Sequence, residues 1–172
     1  MSFDEYSQED PEIYQNKIVW RDARSGSFDV YLYDLSMDSD GDGTPNYLES
    51  PRLSPDPAEI HITADEANQS PPVISGNIIA WITDGNESTY CIDIYDLSVD
   101  SDGDSIPNYL ESPRPDPDPA MSSQIVHSED YIGNLAISSG KIIWVDLRDH
   151  KWSVYMYDLN TDSDGDGTPN YL

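Results

Sequence analysis

The chain repeats itself at a fixed spacing. Asp38-Ser39-Asp40-Gly41-Asp42-Gly43-Thr44-Pro45-Asn46-Tyr47-Leu48-Glu49 returns as Asp100-Ser101-Asp102-Gly103-Asp104-Ser105-Ile106-Pro107-Asn108-Tyr109-Leu110-Glu111. It returns again as Asp162-Ser163-Asp164-Gly165-Asp166-Gly167-Thr168-Pro169-Asn170-Tyr171-Leu172. Successive copies begin 62 residues apart. A constant period of this length implies tandem supersecondary units, each burying its apolar face against a neighbour. The sections expected are 1–62, 63–124 and 125–172, together one repeat domain.

Acidic residues at loop positions one, three, five and twelve form the ligand pattern of an EF-hand-type calcium loop. Calcium is a hard cation that takes six to eight oxygens. Alternate carboxylates converge on one centre only if the backbone turns sharply, and Gly43 at position six permits that turn. The ligands expected in the first copy are Asp38, Asp40, Asp42, the Thr44 carbonyl, Asn46 at position nine and the bidentate Glu49. In the second they are Asp100, Asp102, Asp104, Ile106, Asn108 and Glu111. In the third they are Asp162, Asp164, Asp166, Thr168 and Asn170, with no Glu before the sequence ends at Leu172. Ser105 replaces the turn glycine in the second copy, which predicts a weaker site. Ordinary solvated Asp/Gly turns are the competing reading, and three copies in register favour the calcium reading.

Net charge is −26, from 34 acidic and 8 basic residues among 172. That balance argues against nucleic acid and anionic membrane surfaces, both of which need basic patches. It suits cation binding, and equally a high-salt habitat. Cys91 is the single cysteine, so no intrachain disulfide forms, and it reads as a small strand residue. No apolar run approaches the length of a transmembrane helix. Met1-Ser2-Phe3-Asp4-Glu5 lacks the basic and apolar regions of a secretory leader. The expectation is either a removed leader or a segment of a longer chain.

The repeat extends beyond the acidic stretch. Ser2–Ile13 aligns on Thr63–Ile74. Asn16-Lys17-Ile18-Val19-Trp20 matches Asn77-Ile78-Ile79-Ala80-Trp81 and Gly140-Lys141-Ile142-Ile143-Trp144. Val30-Tyr31-Leu32-Tyr33-Asp34-Leu35 matches Ile92–Leu97 and Val154–Leu159. These short β-branched and aromatic runs, bounded by turn residues, predict strands. Ser75-Gly76-Asn77, Ser139-Gly140-Lys141, Asp22–Gly26 and Asp84-Gly85-Asn86 read as turns. A fourth strand is expected at Glu59–Thr63 and at Ser123–His127. Before each lies a proline segment, 50–57 or 112–119, read as a stiff spacer. A proline-motif ligand is the other reading.

Four-stranded units in tandem are the pattern of propeller blades. The series Ile-Ser-Gly-Asn-x-Ile-x-Trp, then Asp-x-Arg (Asp22-Ala23-Arg24, Asp146-Leu147-Arg148), then Tyr-x-Tyr-Asp-Leu resembles the TolB-type β-propeller repeat of archaeal and bacterial cell-surface proteins. The second section departs from it, with Thr83-Asp84-Gly85 in place of Asp-x-Arg. The acidic insert resembles the calcium repeats of thrombospondin type 3 and dockerin segments. Together these resemblances imply a secreted or surface-anchored module whose blades each carry a calcium loop.

The three histidines fall in different repeat contexts, so a zinc site is not expected. No phosphate loop or nucleophile elbow is present, and the acids follow the structural period, which a single active site would break. The expectation is an all-β, non-catalytic, calcium-stabilised scaffold that self-associates into a ring or fibre. The alternative is a propeller that binds a glycan or a surface protein. Trp20, Trp81, Trp144 and Tyr33, Tyr95, Tyr157 read as packing, with a sugar-stacking platform as the sharper alternative. Asn68 and Asn86 stand in N-glycosylation triplets.

Overall fold

A computed structural model describes residues 6–63, 66–85, 89–115 and 117–165. These are all-β, with three antiparallel sheets and short 3-10 turns. The chain divides into two compact units, Met1–Pro72 and Val73–Leu172. Most of the second expected section and all of the third therefore share one unit. Among the described residues no helix is long and apolar enough to cross a membrane.

In the first unit, β1 (Gln8–Tyr14), β2 (Lys17–Asp22), β3 (Asp29–Asp34) and β4 (Glu59–His61) are hydrogen-bonded in sequence order. The short β5 (Asn68–Gln69) lies beside the start of β3: the Gln69 N–H donates to the Phe28 carbonyl at 2.7 Å. In the second unit, β6 (Val73–Ser75), β7 (Ile78–Gly85), β8 (Thr89–Asp96) and β9 (Met121–Ser128) pair in succession. A third sheet consists of β10 (Ile132–Ser138), β11 (Lys141–Asp146) and β12 (Ser153–Asp158). β12 pairs with β11 alone among the described residues.

The strands fall where the β-branched and aromatic runs predict them, except that β4 stops at His61, β5 follows no such run, and β7 runs longer than expected. Asp84 and Gly85 continue β7, opposite Tyr90 and Thr89, instead of forming the turn. Thr83, Thr89 and Tyr90 favour extended backbone, so pairing runs on past Asp84. Asn86 lies outside the described residues. β1 and β10 share an irregularity, between Glu9 and Glu12 and between Gly133 and Ala136. Asp10 (φ 52°) and Asn134 (φ 50°) sit within it, and short polar residues tolerate that left-handed backbone best.

Period-two alternation separates the faces of each sheet. In the second unit, Ala80 and Ile82 of β7 and Ile92 and Ile94 of β8 point to one side and are buried. They pack on Ile132, Ile142 and Trp144 of the third sheet and on Leu159 just after it. Fully burying one such aliphatic side chain contributes about 1.5–3 kcal/mol, so this shared core joins the two sheets. Cys91 is buried in β8, with Sγ 3.4 Å from His127 Nδ1.

The Asp-x-Arg positions form ion pairs in the first and third sheets. Arg24 pairs with the buried Asp22, and Arg148 with the buried Asp146 at 2.8 Å. Each guanidinium lies over a tyrosine ring, 4.5 Å from Tyr31 and 4.3 Å from Tyr155. Burial alone would raise the Asp22 carboxyl, but hydrogen bonds from Arg24, Trp20 and Gln8 outweigh it and hold it below its usual range. The second sheet replaces this arrangement with Thr83 and Asp93, which hydrogen-bond each other.

Candidate metal centres

Each acidic loop leaves its sheet after the third strand. Asp34 closes the exit of the first, accepting from Ser36 N–H at 2.9 Å, and Asp96 does the same for Ser98 at 2.9 Å. The loop then folds around its own carboxylates. Asp38 accepts two backbone N–H groups, from Gly41 to Oδ1 and from Gly43 to Oδ2, both at 2.8 Å. Asp40 accepts from Asp42 N–H at 3.1 Å, and Asp42 from Thr44 N–H at 2.7 Å. The second loop repeats each bond, with Asp100 accepting from Gly103 and Ser105, Asp102 from Asp104, and Asp104 from Ile106. Asx-type bonding of this kind curls a short polar segment with no help from sheet or helix.

The curl collects negative charge. One carboxylate oxygen from each of Asp100, Asp102, Asp104 and Glu111 lies within 4.8 Å of the others, and Asp38, Asp40 and Asp42 meet the same limit. These groups could hold a metal ion, although exposed acidic clusters also occur without one. The glutamates add a second observation. Oε1 of Glu49 and Oε1 of Glu111 are buried and have no hydrogen-bond partner. A buried carboxylate oxygen with no donor is costly, and a cation is the natural group to relieve it.

The electrostatics of each loop follow from the same crowding. Desolvation, then the nearby negative charges of Asp40, Asp42 and Asp38, raise the Glu49 carboxyl above its usual value. Desolvation, then Asp102, Asp104 and Asp100, do the same to Glu111. Asp38 is lowered, chiefly by the Gly43 N–H, and Asp100 by the Ser105 N–H. Each loop thus has one carboxylate secured by the backbone and one destabilised by its neighbours.

Asn46 and Asn108, expected in the metal shell, are turned into the protein. Asn46 is buried. Its Oδ1 accepts from Ser39 N–H at 2.9 Å and its Nδ2 donates to Asp56 Oδ1 at 3.1 Å. Asp56 also accepts from Ala58 N–H at 3.0 Å and from the Tyr33 hydroxyl at 2.6 Å. The same relay runs through Asn108, Asp118, Ala120 and Tyr95. It ties the acidic loop to the third strand and to the start of the fourth. Thr44 is half-buried and Ile106 is 46% exposed. Asp56 and Asp118 were not singled out in the sequence. Their constant distance of ten residues from each asparagine was the available signal.

Of the third loop, Asp162 and Asp164 are described. Gly165 N–H donates to Asp162 Oδ1 at 2.7 Å, and Gly165 has φ 77°, as Gly103 does. Asp166, Thr168 and Asn170 lie outside the described residues. Compared with protein-family models and with curated proteins, the chain matches none.

Ser105 holds φ 76° where Gly43 holds 91°, so the second loop keeps its curl at the expense of backbone strain. Left-handed backbone at a non-glycine residue costs about 1–2 kcal/mol, and glycine loses more chain entropy on folding, about 0.4–1 kcal/mol. Ser105→Gly is therefore expected to stabilise the protein by roughly 0.5–1 kcal/mol. Denaturant unfolding checks this, and an unchanged or lowered midpoint would contradict it.

Glu49 supplies a prediction with opposite signs. Its folded pKa is raised from 4.5, so the metal-free protein loses stability as pH rises from 4.5 through the raised value. Glu49→Gln is expected to raise the melting temperature in chelator at pH 7, with no such gain near pH 4. In millimolar divalent cation the same variant should melt below the wild type. Calorimetry in both buffers reads the two signs, and a variant that matches the wild type in both shows that Glu49 faces no cation.

Proposed function

We propose that the protein is a non-catalytic, calcium-stabilised structural module that works outside the cytoplasm, at a cell surface or within a fibre. The observation that carries this reading is the buried, unpartnered Oε1 of Glu49 and of Glu111, each in a loop whose aspartates repel it. Asp38, Asp40, Asp42 and Glu49 would hold one ion; Asp100, Asp102, Asp104 and Glu111 would hold another. The carbonyls of Thr44 and Ile106 would add backbone oxygen. An all-oxygen set of irregular spacing favours calcium over magnesium, which demands near-ideal octahedral geometry. When bound, calcium supplies only positive charge and a fixed junction. The Asn46–Asp56–Tyr33 relay connects that junction to the sheet.

The recurring strand order supports propeller-type blades as the unit, in keeping with the TolB-like motifs. Extracellular calcium modules bind at about 10⁻⁴–10⁻³ M, which suits a surface location. Self-association, as a ring or a fibre, completes this reading of a scaffold. With free calcium a hundredfold above Kd each site adds about 2.7 kcal/mol, and two sites roughly 5 kcal/mol. The melting temperature should therefore rise by about 10 °C or more from chelator to saturating calcium. Magnesium at the same concentration should give a much smaller shift. Identical melting curves with calcium and with chelator would overturn the proposal.

One observation favours the alternative of glycan binding. Tyr131 and Trp152, 50% and 59% exposed, line a concavity of about 370 Å³ with Gly133, Asn134 and Val145. Their rings meet edge to face at 5.8 Å. Exposed aromatic faces of this kind stack on sugars as well as on protein. Titration with neutral oligosaccharides, followed by tryptophan fluorescence, separates the readings. A saturable change that Trp152→Ala abolishes supports the alternative; on the structural reading no saturable change occurs.

A further inference from the structure

The third sheet ends in an apolar face, and the second sheet shows what such a face packs on. Ala80 lies opposite Ile94 and Ile82 opposite Ile92 on the covered side of β7 and β8. The equivalent side of the third sheet carries Ile143 opposite Met156 and Val145 opposite Val154. There the burial is lost: Ile143 is 43%, Met156 58% and Val154 72% exposed. Exposed apolar side chains in one contiguous group mark an interaction surface more often than scattered ones do.

The first sheet carries the complement. The cover over Ile92 and Ile94 includes Ile142 and Trp144, with Ile137 packed at its margin. Ile18 and Trp20 stand at the equivalent places in β2. Ile13 pairs with Ile18 as Ile137 pairs with Ile142. Ile137 is half-buried against the shared core, whereas Ile13 is 61% exposed.

We propose that copies of this chain associate head to tail through these two faces. The Ile143–Val154–Met156 face of one copy seats on the Ile13–Ile18–Trp20 face of the next. The contact repeats, between chains, the packing that joins the second and third sheets within one chain. The occupant is a second copy because this chain carries both halves of that packing at the same spacing, and already joins them once within itself. The inference rests on the self-assembling scaffold reading and names its surfaces. Two different patches meet, so the contact is heterologous, and each added copy presents a fresh face. The charge of −26 opposes association at low ionic strength, so added salt strengthens it.

Sedimentation velocity on the full chain, over a concentration series in millimolar calcium with moderate salt, tests the proposal. The wild type should exceed the monomer mass increasingly with concentration. Ile13→Glu and the double variant Val154→Glu/Met156→Glu should each stay monomeric. Mixed in equal amounts they should form a dimer and nothing larger, because each keeps the face the other has lost. That complementation also shows that both variants are folded and that the added charge alone does not block association. A monomeric wild type, a variant that assembles like the wild type, or a mixture that stays monomeric would overturn the proposal. Melting curves run in parallel keep the two readings apart. A calcium shift without assembly removes this inference alone, and assembly without a calcium shift removes the metal reading alone.

Discussion

Like-charge repulsion inside the acidic loops is the constraint around which the rest of the chain is arranged. Carboxylates confined within 4.8 Å of one another repel by about 1 kcal/mol per pair even in water, and more beside protein. The backbone offsets part of this. Gly41 and Gly43 aim their N–H groups at Asp38, and Gly103 and Ser105 aim theirs at Asp100. Glu49 and Glu111 receive no such help at Oε1. The protein's own donors leave that oxygen unsatisfied in both loops, and a cation would satisfy it.

The loops would be loose appendages without the buried asparagines. Asn46 holds the loop entrance through Ser39 and reaches Asp56 on the far side of the proline segment. Asp56 in turn holds Tyr33 of β3 and the backbone at Ala58, just before β4. The acidic loop, the third strand and the fourth strand are therefore one connected network, and the second loop is built in the same way. Burial of Asn46 and Asn108 with their hydrogen bonds satisfied makes the relay stiff, since each broken bond would leave a buried polar group unpaired. A cation held in the loop would be joined to the sheet through this network.

Much of this was legible in the sequence. Alternating Ile, Val, Tyr and Trp marked the strands, and the Asp spacing marked the loops, because both depend on local backbone geometry. The inward turn of the asparagines was not legible, for a physical reason. Position nine of a calcium loop and the start of a 3-10 turn coincide at Asn46 and at Asn108, and spacing alone does not reveal which way a side chain points. Asp56 and Asp118 were hidden among prolines, where an acid reads as solvated. Asp84 and Gly85 carried turn chemistry and were drawn into β7 by pairing with Tyr90 and Thr89. The unequal exposure of Leu32 and Met156 was also illegible. Their sequences are equivalent, yet one is fully buried and the other open to solvent, a difference set by tertiary surroundings.

Cation occupancy of the two complete loops is the central claim, and native mass spectrometry of the intact chain titrated with calcium tests it most directly. The account predicts that at least two calcium ions are retained, falling by one with Glu49→Gln and again with Glu111→Gln added. A wild-type chain that retains no more calcium than the double variant would contradict it.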